Sequence, residues 1–107
     1  MSVILDSVGM MTLKMGMLDL NHKIALCSEE KTRLASQEMS LVDAGTDLDP
    51  NSPVYKQLQA RRDRLHLLEK QIDAKMLKYQ NQLKMMETQY QSYQQRFEKD
   101  VKESSRF

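Results

Sequence analysis

Residues 72–97 read IDAKMLKYQNQLKMMETQYQSYQQRF, from Ile72 to Phe97. The large side chains in it, Ile72, Met76, Tyr79, Leu83, Met86, Tyr90, Tyr93 and Phe97, are spaced alternately by four and three residues. Lys, Gln, Asn, Glu, Ser and Thr fill nearly all the positions between. On a helix, that spacing sets these side chains along one narrow stripe, the geometry of a seam packed against another helix. A seam needs a cover, so the rest of the chain has to supply a helix or a neighbour must.

Upstream, Met10, Leu13, Met17, Leu20, Ile24, Cys27, Leu34 and Leu41 make a second stripe, with Lys31 and Glu38 at intervening seam positions. The pattern predicts a first helix over about residues 3–44, a turn over 45–52 and a second helix over about 53–103. Gly45 is expected just past the end of the first helix, where backbone freedom is wanted. Ser52 followed by Pro53 reads as an N-cap with proline at the first helical position, where its missing N–H costs nothing. No glycine or proline follows Pro53. A short connection between long helices implies antiparallel neighbours. The expected fold is therefore all-α: one domain over residues 1–107, an elongated, coiled-coil-like two-helix hairpin completed by oligomerisation. Its intrachain seam pairs Leu13, Met17, Leu20 and Ile24 with the Ile72–Phe97 stripe.

Doubled steps of four at Leu68–Ile72–Met76 and Tyr93–Phe97–Val101 bring the mean spacing from Leu65 to Val101 to about 3.6, which predicts little net supercoil. Arg62 and Glu69 fall where the repeat wants apolar groups, so the hairpin should be looser near its turn.

Composition agrees with long helices. The 107 residues include only three glycines and two prolines, with nine methionines and no Trp. The net charge of +1 gives no reason to invoke nucleic acid or an acidic membrane. Its distribution says more. Residues 1–52 hold eight acids and four bases, a balance of −4, whereas residues 53–107 hold seven acids and twelve bases, a balance of +5. Opposite halves favour folding back on each other or stacking between copies, an effect that salt screens.

Cys27 is the only cysteine, which rules out an intrachain disulfide and suits a reducing compartment. Asp6 interrupts the apolar N-terminus and no basic region precedes it, so a cleavable signal peptide is not expected. Asp6, Lys14 and Asp19 also break that run well short of a transmembrane segment. The expected location is cytoplasmic as synthesised, with any export by a leaderless route.

The first helix carries more apolar surface than one partner covers. Ile4, Val8, Met11, Met15 and Leu18 form a stripe of their own, offset from the seam, and two stripes on one helix mean burial on two sides. Five methionines, Met1, Met10, Met11, Met15 and Met17, fall in the first 17 residues. Methionine suits a surface that must adapt to its neighbour, and equally it fills cores. The Ile4–Leu18 stripe is the expected assembly interface. The uncharged segment from Thr88 to Gln95 reads either as a lateral packing patch or as an exposed polar face that uses glutamine.

Catalytic, cofactor and metal sites are not expected. His22 and His66 lie on different helices without a further ligand at convincing spacing, and the Asp19–His22 pair reads as a surface contact. Cys27 sits on the seam as a small apolar group, with no His or Asp arrangement to make it a nucleophile. A hairpin also offers no deep pocket, so an enzyme is not expected. Arg61, Arg62 and Arg64 read as a solvated face answered in part by the acidic end of the first helix. Without interleaved aromatics or a reading helix, they do not predict nucleic-acid binding.

One family resemblance follows. Asp49-Pro50-Asn51-Ser52-Pro53 with Leu58-Gln59 resembles the turn and second-helix start of type III secretion needle subunits. Phe97-Glu98-Lys99-Asp100-Val101 with Arg106-Phe107 is similar to their C-terminal stretch. The resemblance covers the turn and second helix and implies small hairpins stacked helically into a tube with both termini buried. This chain is longer, and Lys102, Glu103, Ser104 and Ser105 stand where that family has aliphatic residues. The function expected is a non-enzymatic, self-associating structural hairpin, such as a secretion-linked filament subunit. The alternative is a cytoplasmic coiled-coil adaptor or chaperone-like module that binds a helix of a partner protein. The expected partner is thus another copy or a helical protein, with no nucleic acid.

Overall fold

A computed structural model describes residues 2–105. Two helices make up the fold, α1 over Val3–Gly45 and α2 over Pro53–Ser104, and the chain is an all-α antiparallel hairpin. Ser2 caps α1: its Oγ accepts the Leu5 N–H at 3.1 Å, satisfying one of the free donors at the helix start.

The turn is held by short-range hydrogen bonds. The Thr46 N–H reaches the Asp43 carbonyl at 3.4 Å and the Leu48 N–H the Gly45 carbonyl at 3.2 Å, which tightens the end of α1. Gly45 itself is helical, and no glycine among the described residues has a positive φ. Gly45, expected just past the helix, is thus its last residue, and the end is closed by these tighter bonds and by the Thr46 hydroxyl, which donates to the Val42 carbonyl at 3.0 Å. Asp49 Oδ1 accepts the Asn51 N–H at 3.0 Å, an Asx turn. Ser52 Oγ then accepts the Tyr55 N–H at 3.2 Å, the capping bond for a helix that opens on Pro53.

The residues fall into two compact units, each a pair of antiparallel helix segments: residues 2–24 with 78–105, and residues 25–77. In the first, Gly9 faces Tyr93 and Gly16 faces Met86, a step of seven on each helix. In the second, Lys31 pairs with Asp73 and Glu38 with His66, again seven apart.

Inward-facing positions follow strict heptads on both helices. On α1 they run Asp6, Met10, Leu13, Met17, Leu20 in the first unit, and Cys27, Lys31, Leu34, Glu38, Leu41 in the second. On α2 they run Tyr55, Leu58, Arg62, Leu65, Glu69, Ile72 in the second unit, and Tyr79 through Phe97 to Asp100 in the first. Leu68 and Val101 are exposed at 44% and 40%, so the seam passes through Glu69 and Asp100 instead. The doubled steps of four drop out with them. The inward positions then repeat about every 3.5 residues rather than every 3.6.

Few apolar side chains are buried. Leu20, Cys27, Leu34 and Ile72 make up the buried apolar core of the described residues. Two helices shield each other on one side only, so the remaining seam side chains are half-buried.

Candidate functional site

The first unit joins its helices by fitting large side chains against glycine. A Cβ at Gly9 would lie 2.6 Å from Tyr93 Cε1, so the Tyr93 ring lies where any other residue would put its side chain. A Cβ at Gly16 would meet Met86 Sδ at 3.1 Å and Cε at 3.2 Å. Lys23 pairs with Asp19 at 3.0 Å and lies 5.8 Å from the Tyr79 ring centroid, within cation–π range. Arg96 packs over the Tyr93 ring at 4.3 Å.

Asp6 is the one fully enclosed side chain of the described residues, with no exposed surface. Neither of its carboxyl oxygens accepts a bond from an N–H or hydroxyl among those residues. The group within hydrogen-bonding reach is the Asp100 carboxyl, and two carboxyls bond only when one of them keeps a proton. That bond, then burial and then the Asp100 charge hold Asp6 above the usual carboxylate range, while Arg96 pulls the other way.

The opposite side of α1 in this unit is open. Ile4 is 74% exposed, Val8 54%, Met11 63%, Met15 69% and Leu18 63%. At 100° per residue these five point roughly away from the seam residues Met10, Leu13, Met17 and Leu20. Beyond Leu18 the same face carries His22, Leu26, Glu29 and Arg33, all exposed, so one more apolar side chain, Leu26, precedes the charged residues that end the stripe. In the Thr88–Gln95 segment, Tyr90 and Tyr93 turn inward and the Thr, Ser and Gln side chains are exposed.

The second unit puts charge into its seam. Lys31 Nζ lies 2.7 Å from Asp73 Oδ1, and that bond, with the Asp73 charge, raises the Lys31 pKa. One heptad on, His66 Nε2 stands 2.9 Å from Glu38 Oε1 and His66 Nδ1 stands 3.7 Å from Glu69 Oε2. One ligand atom from each of Glu38, His66 and Glu69 lies within 4.8 Å of the others, the only such cluster among the described residues. Arg62 is half-buried beside Leu41, Tyr55 and Leu58 and so faces the seam, whereas Arg61 and Arg64 are exposed. Those two arginines flank a shallow groove floored by Leu41, Leu65 and Leu68.

Of the seam residues read from the sequence, Leu20 and Ile72 are buried. Leu13, Met17, Ile24, Met76, Tyr79, Leu83, Met86, Tyr90, Tyr93 and Phe97 are half-buried. Cys27 is a buried free thiol. Met1, Arg106 and Phe107 lie outside the described residues. Among the described residues, no helix is long and apolar enough to cross a membrane.

Three features escaped the sequence reading. Two glycines seven apart inside a helix each cost about 1 kcal/mol relative to Ala, and that cost was the available sign of a packing role. Asp6 and Asp100 continue their seam repeats outward from Met10 and Phe97. The convergence of Glu38 on His66 depends on the register across the hairpin, which no local spacing displays.

Compared with protein-family models, with curated proteins and with solved structures, the chain matches none of them.

Proposed function

We propose that this chain is a non-enzymatic assembly protein whose hairpins pack side by side with copies of themselves. The observation that carries the reading is the Ile4–Val8–Met11–Met15–Leu18 stripe, five large apolar side chains each more than half exposed on the side of α1 turned from the seam. A soluble helix ordinarily shows water a charged or polar face there. A fold with so few enclosed apolar groups also gains more than most from a neighbour. The second copy is the favoured occupant because of charge. The half containing α1 carries −4 and the half containing α2 carries +5, so α1 of one hairpin is attracted to α2 of the next. Contacts of that heterologous kind build a ring where the rotation between copies closes and an open filament where it does not. The likeness of the turn to that of type III secretion needle subunits supports a secretion-linked filament in particular.

Replacing Met11 and Met15 together with Glu tests this. Sedimentation velocity and electron microscopy should show wild-type protein growing open-endedly with concentration, and the double variant remaining a single helical hairpin. Assembly by the double variant equal to wild type would overturn the reading.

The groove between Arg61 and Arg64 favours a second reading, a hairpin adaptor that receives a partner's helix. Its apolar floor and cationic rim suit an amphipathic helix with acidic flanks. A fixed monomer or dimer across a concentration series, measured by light scattering, would favour this reading over the filament.

A further inference from the structure

The geometry points to a binding site for a borderline divalent transition cation such as Zn2+, formed by Glu38 of α1 with His66 and Glu69 of α2. Two carboxylates and an imidazole make a nitrogen–oxygen donor set that Zn2+ accepts and that hard cations favour less. The three ligand atoms already lie within 4.8 Å of one another. Around an ion at roughly 2.0–2.1 Å from each ligand, tetrahedral geometry sets neighbouring ligands about 3.3 Å apart. Changes in side-chain torsion cover the difference.

The placement of the two carboxylates argues separately for a cation. Glu38 and Glu69 occupy inward heptad positions, where the side chains are only 21% and 25% exposed and an apolar residue would ordinarily sit. Two like charges this close in a helix interface repel unless a positive group lies between them. Lys31 reaches Glu69 electrostatically, but its hydrogen bond goes to Asp73, at 2.7 Å. The group standing between the carboxylates is His66, half exposed and positioned to turn, so that one ring nitrogen faces an ion and the other faces water. The metal would clip α1 to α2 within this unit, because its ligands come from both helices. This inference stands apart from self-association and holds whether the hairpin assembles or not.

The test uses the full chain, stripped with a chelator and desalted, and titrated at pH 7 with ZnCl2 and separately with MgCl2. Calorimetry should show one Zn2+ per chain with a dissociation constant in the micromolar range, a rise in the unfolding midpoint, and no comparable effect of Mg2+. Glu38→Gln and Glu69→Gln should each weaken binding at least tenfold, and His66→Gln should abolish it. Cys27→Ser and His22→Gln should leave it unchanged. Far-UV circular dichroism checks that each variant folds. If His66→Gln loses its helices, the wild-type His66 ring signals in NMR decide, since a bound ion must shift them. Unmoved ring signals, equal binding by His66→Gln, or no saturation up to millimolar Zn2+ would each overturn the site.

Discussion

A Cβ built on Gly9 would stand 2.6 Å from Cε1 of Tyr93 and 2.9 Å from two further atoms of the ring. The aromatic ring of α2 thus fits against the bare backbone of α1, and the absence of a side chain at Gly9 is part of the seam. Gly9→Ala gains about 1 kcal/mol of helix propensity. Overpacking costs typically about 1–3 kcal/mol, and a rigid ring has little room to yield. The net expectation is a loss of up to about 2 kcal/mol in chemical denaturation. Adding Tyr93→Leu should recover part of it, because the smaller side chain leaves room for the methyl group.

Gly45 gives the opposite sign. A Cβ there meets Leu58 Cδ1 at 3.7 Å and Tyr55 Cε2 at 3.8 Å, ordinary contact distances, and the backbone is helical with no positive φ. Gly45→Ala should raise stability by about 0.4–1 kcal/mol, chiefly by narrowing the unfolded ensemble. A drop in the denaturation midpoint would show that Gly45 is left-handed in solution.

This pair of glycines marks the boundary of what the sequence displays. Met10 to Leu20 and Ile72 to Phe97 announce a two-helix seam because large apolar groups recur every three or four residues among polar ones. Periodicity sees size and polarity, and it does not see who faces whom. Gly9 looks like a flaw in a helix until Tyr93 is placed opposite it. Leu68 and Val101 attracted the seam reading because they are apolar, yet the backbone repeat turns Glu69 and Asp100 inward in their place. Hydrophobicity outvoted geometry there. The same bias hid Asp6 and the approach of Glu38 to His66, since both need the register that the turn imposes.

The Asp6–Asp100 pair predicts an unusual pH response. Asp6 is raised in the folded state by its hydrogen bond to Asp100, by burial and by the Asp100 charge. The folded protein therefore binds this proton more tightly than the unfolded chain, whose Asp titrates near ~3.9. The stabilisation is fully present below that value and is lost as pH rises through the raised folded value. Asp6→Asn supplies an N–H donor to Asp100 at every pH. The variant should unfold at a higher temperature than wild type at pH 7, with the gap closing on acidification towards pH ~4. A gap independent of pH would mean that the two carboxyls do not share a proton.

Lys31 titrates at the alkaline end. Its folded pKa is raised, first by the hydrogen bond to Asp73 and then by the Asp73 charge, so its contribution is fully present below the unfolded lysine value. That contribution disappears as pH rises through the folded value. Both partners are about half exposed, so water screens the pair and its loss should be small at neutral pH. Lys31→Leu puts an apolar group on the seam heptad between Cys27 and Leu34, both buried. The expected outcome is a denaturation midpoint at pH 7 no lower than wild type, together with loss of the wild-type decline above pH ~10. A lower midpoint at pH 7 would show that the Lys31–Asp73 contact matters more than its exposure suggests.

Salt separates the two forces proposed for assembly. Attraction between the acidic α1 half and the basic α2 half acts over distances that ions screen, with a Debye length of about 10 Å at 0.1 M and about 3 Å at 1 M. Burial of Ile4, Val8, Met11, Met15 and Leu18 is not screened, and sulfate strengthens it. Raising NaCl from about 0.1 to about 1 M should therefore slow the onset of assembly, since encounters lose their electrostatic steering, while assemblies already formed persist. Ammonium sulfate at matched ionic strength should hold them more firmly than NaCl. Light scattering follows the onset, and pelleting after dilution into salt follows persistence. Dissolution of formed assemblies by NaCl alone would make the charged halves the principal bond and reduce the apolar stripe to a secondary contact.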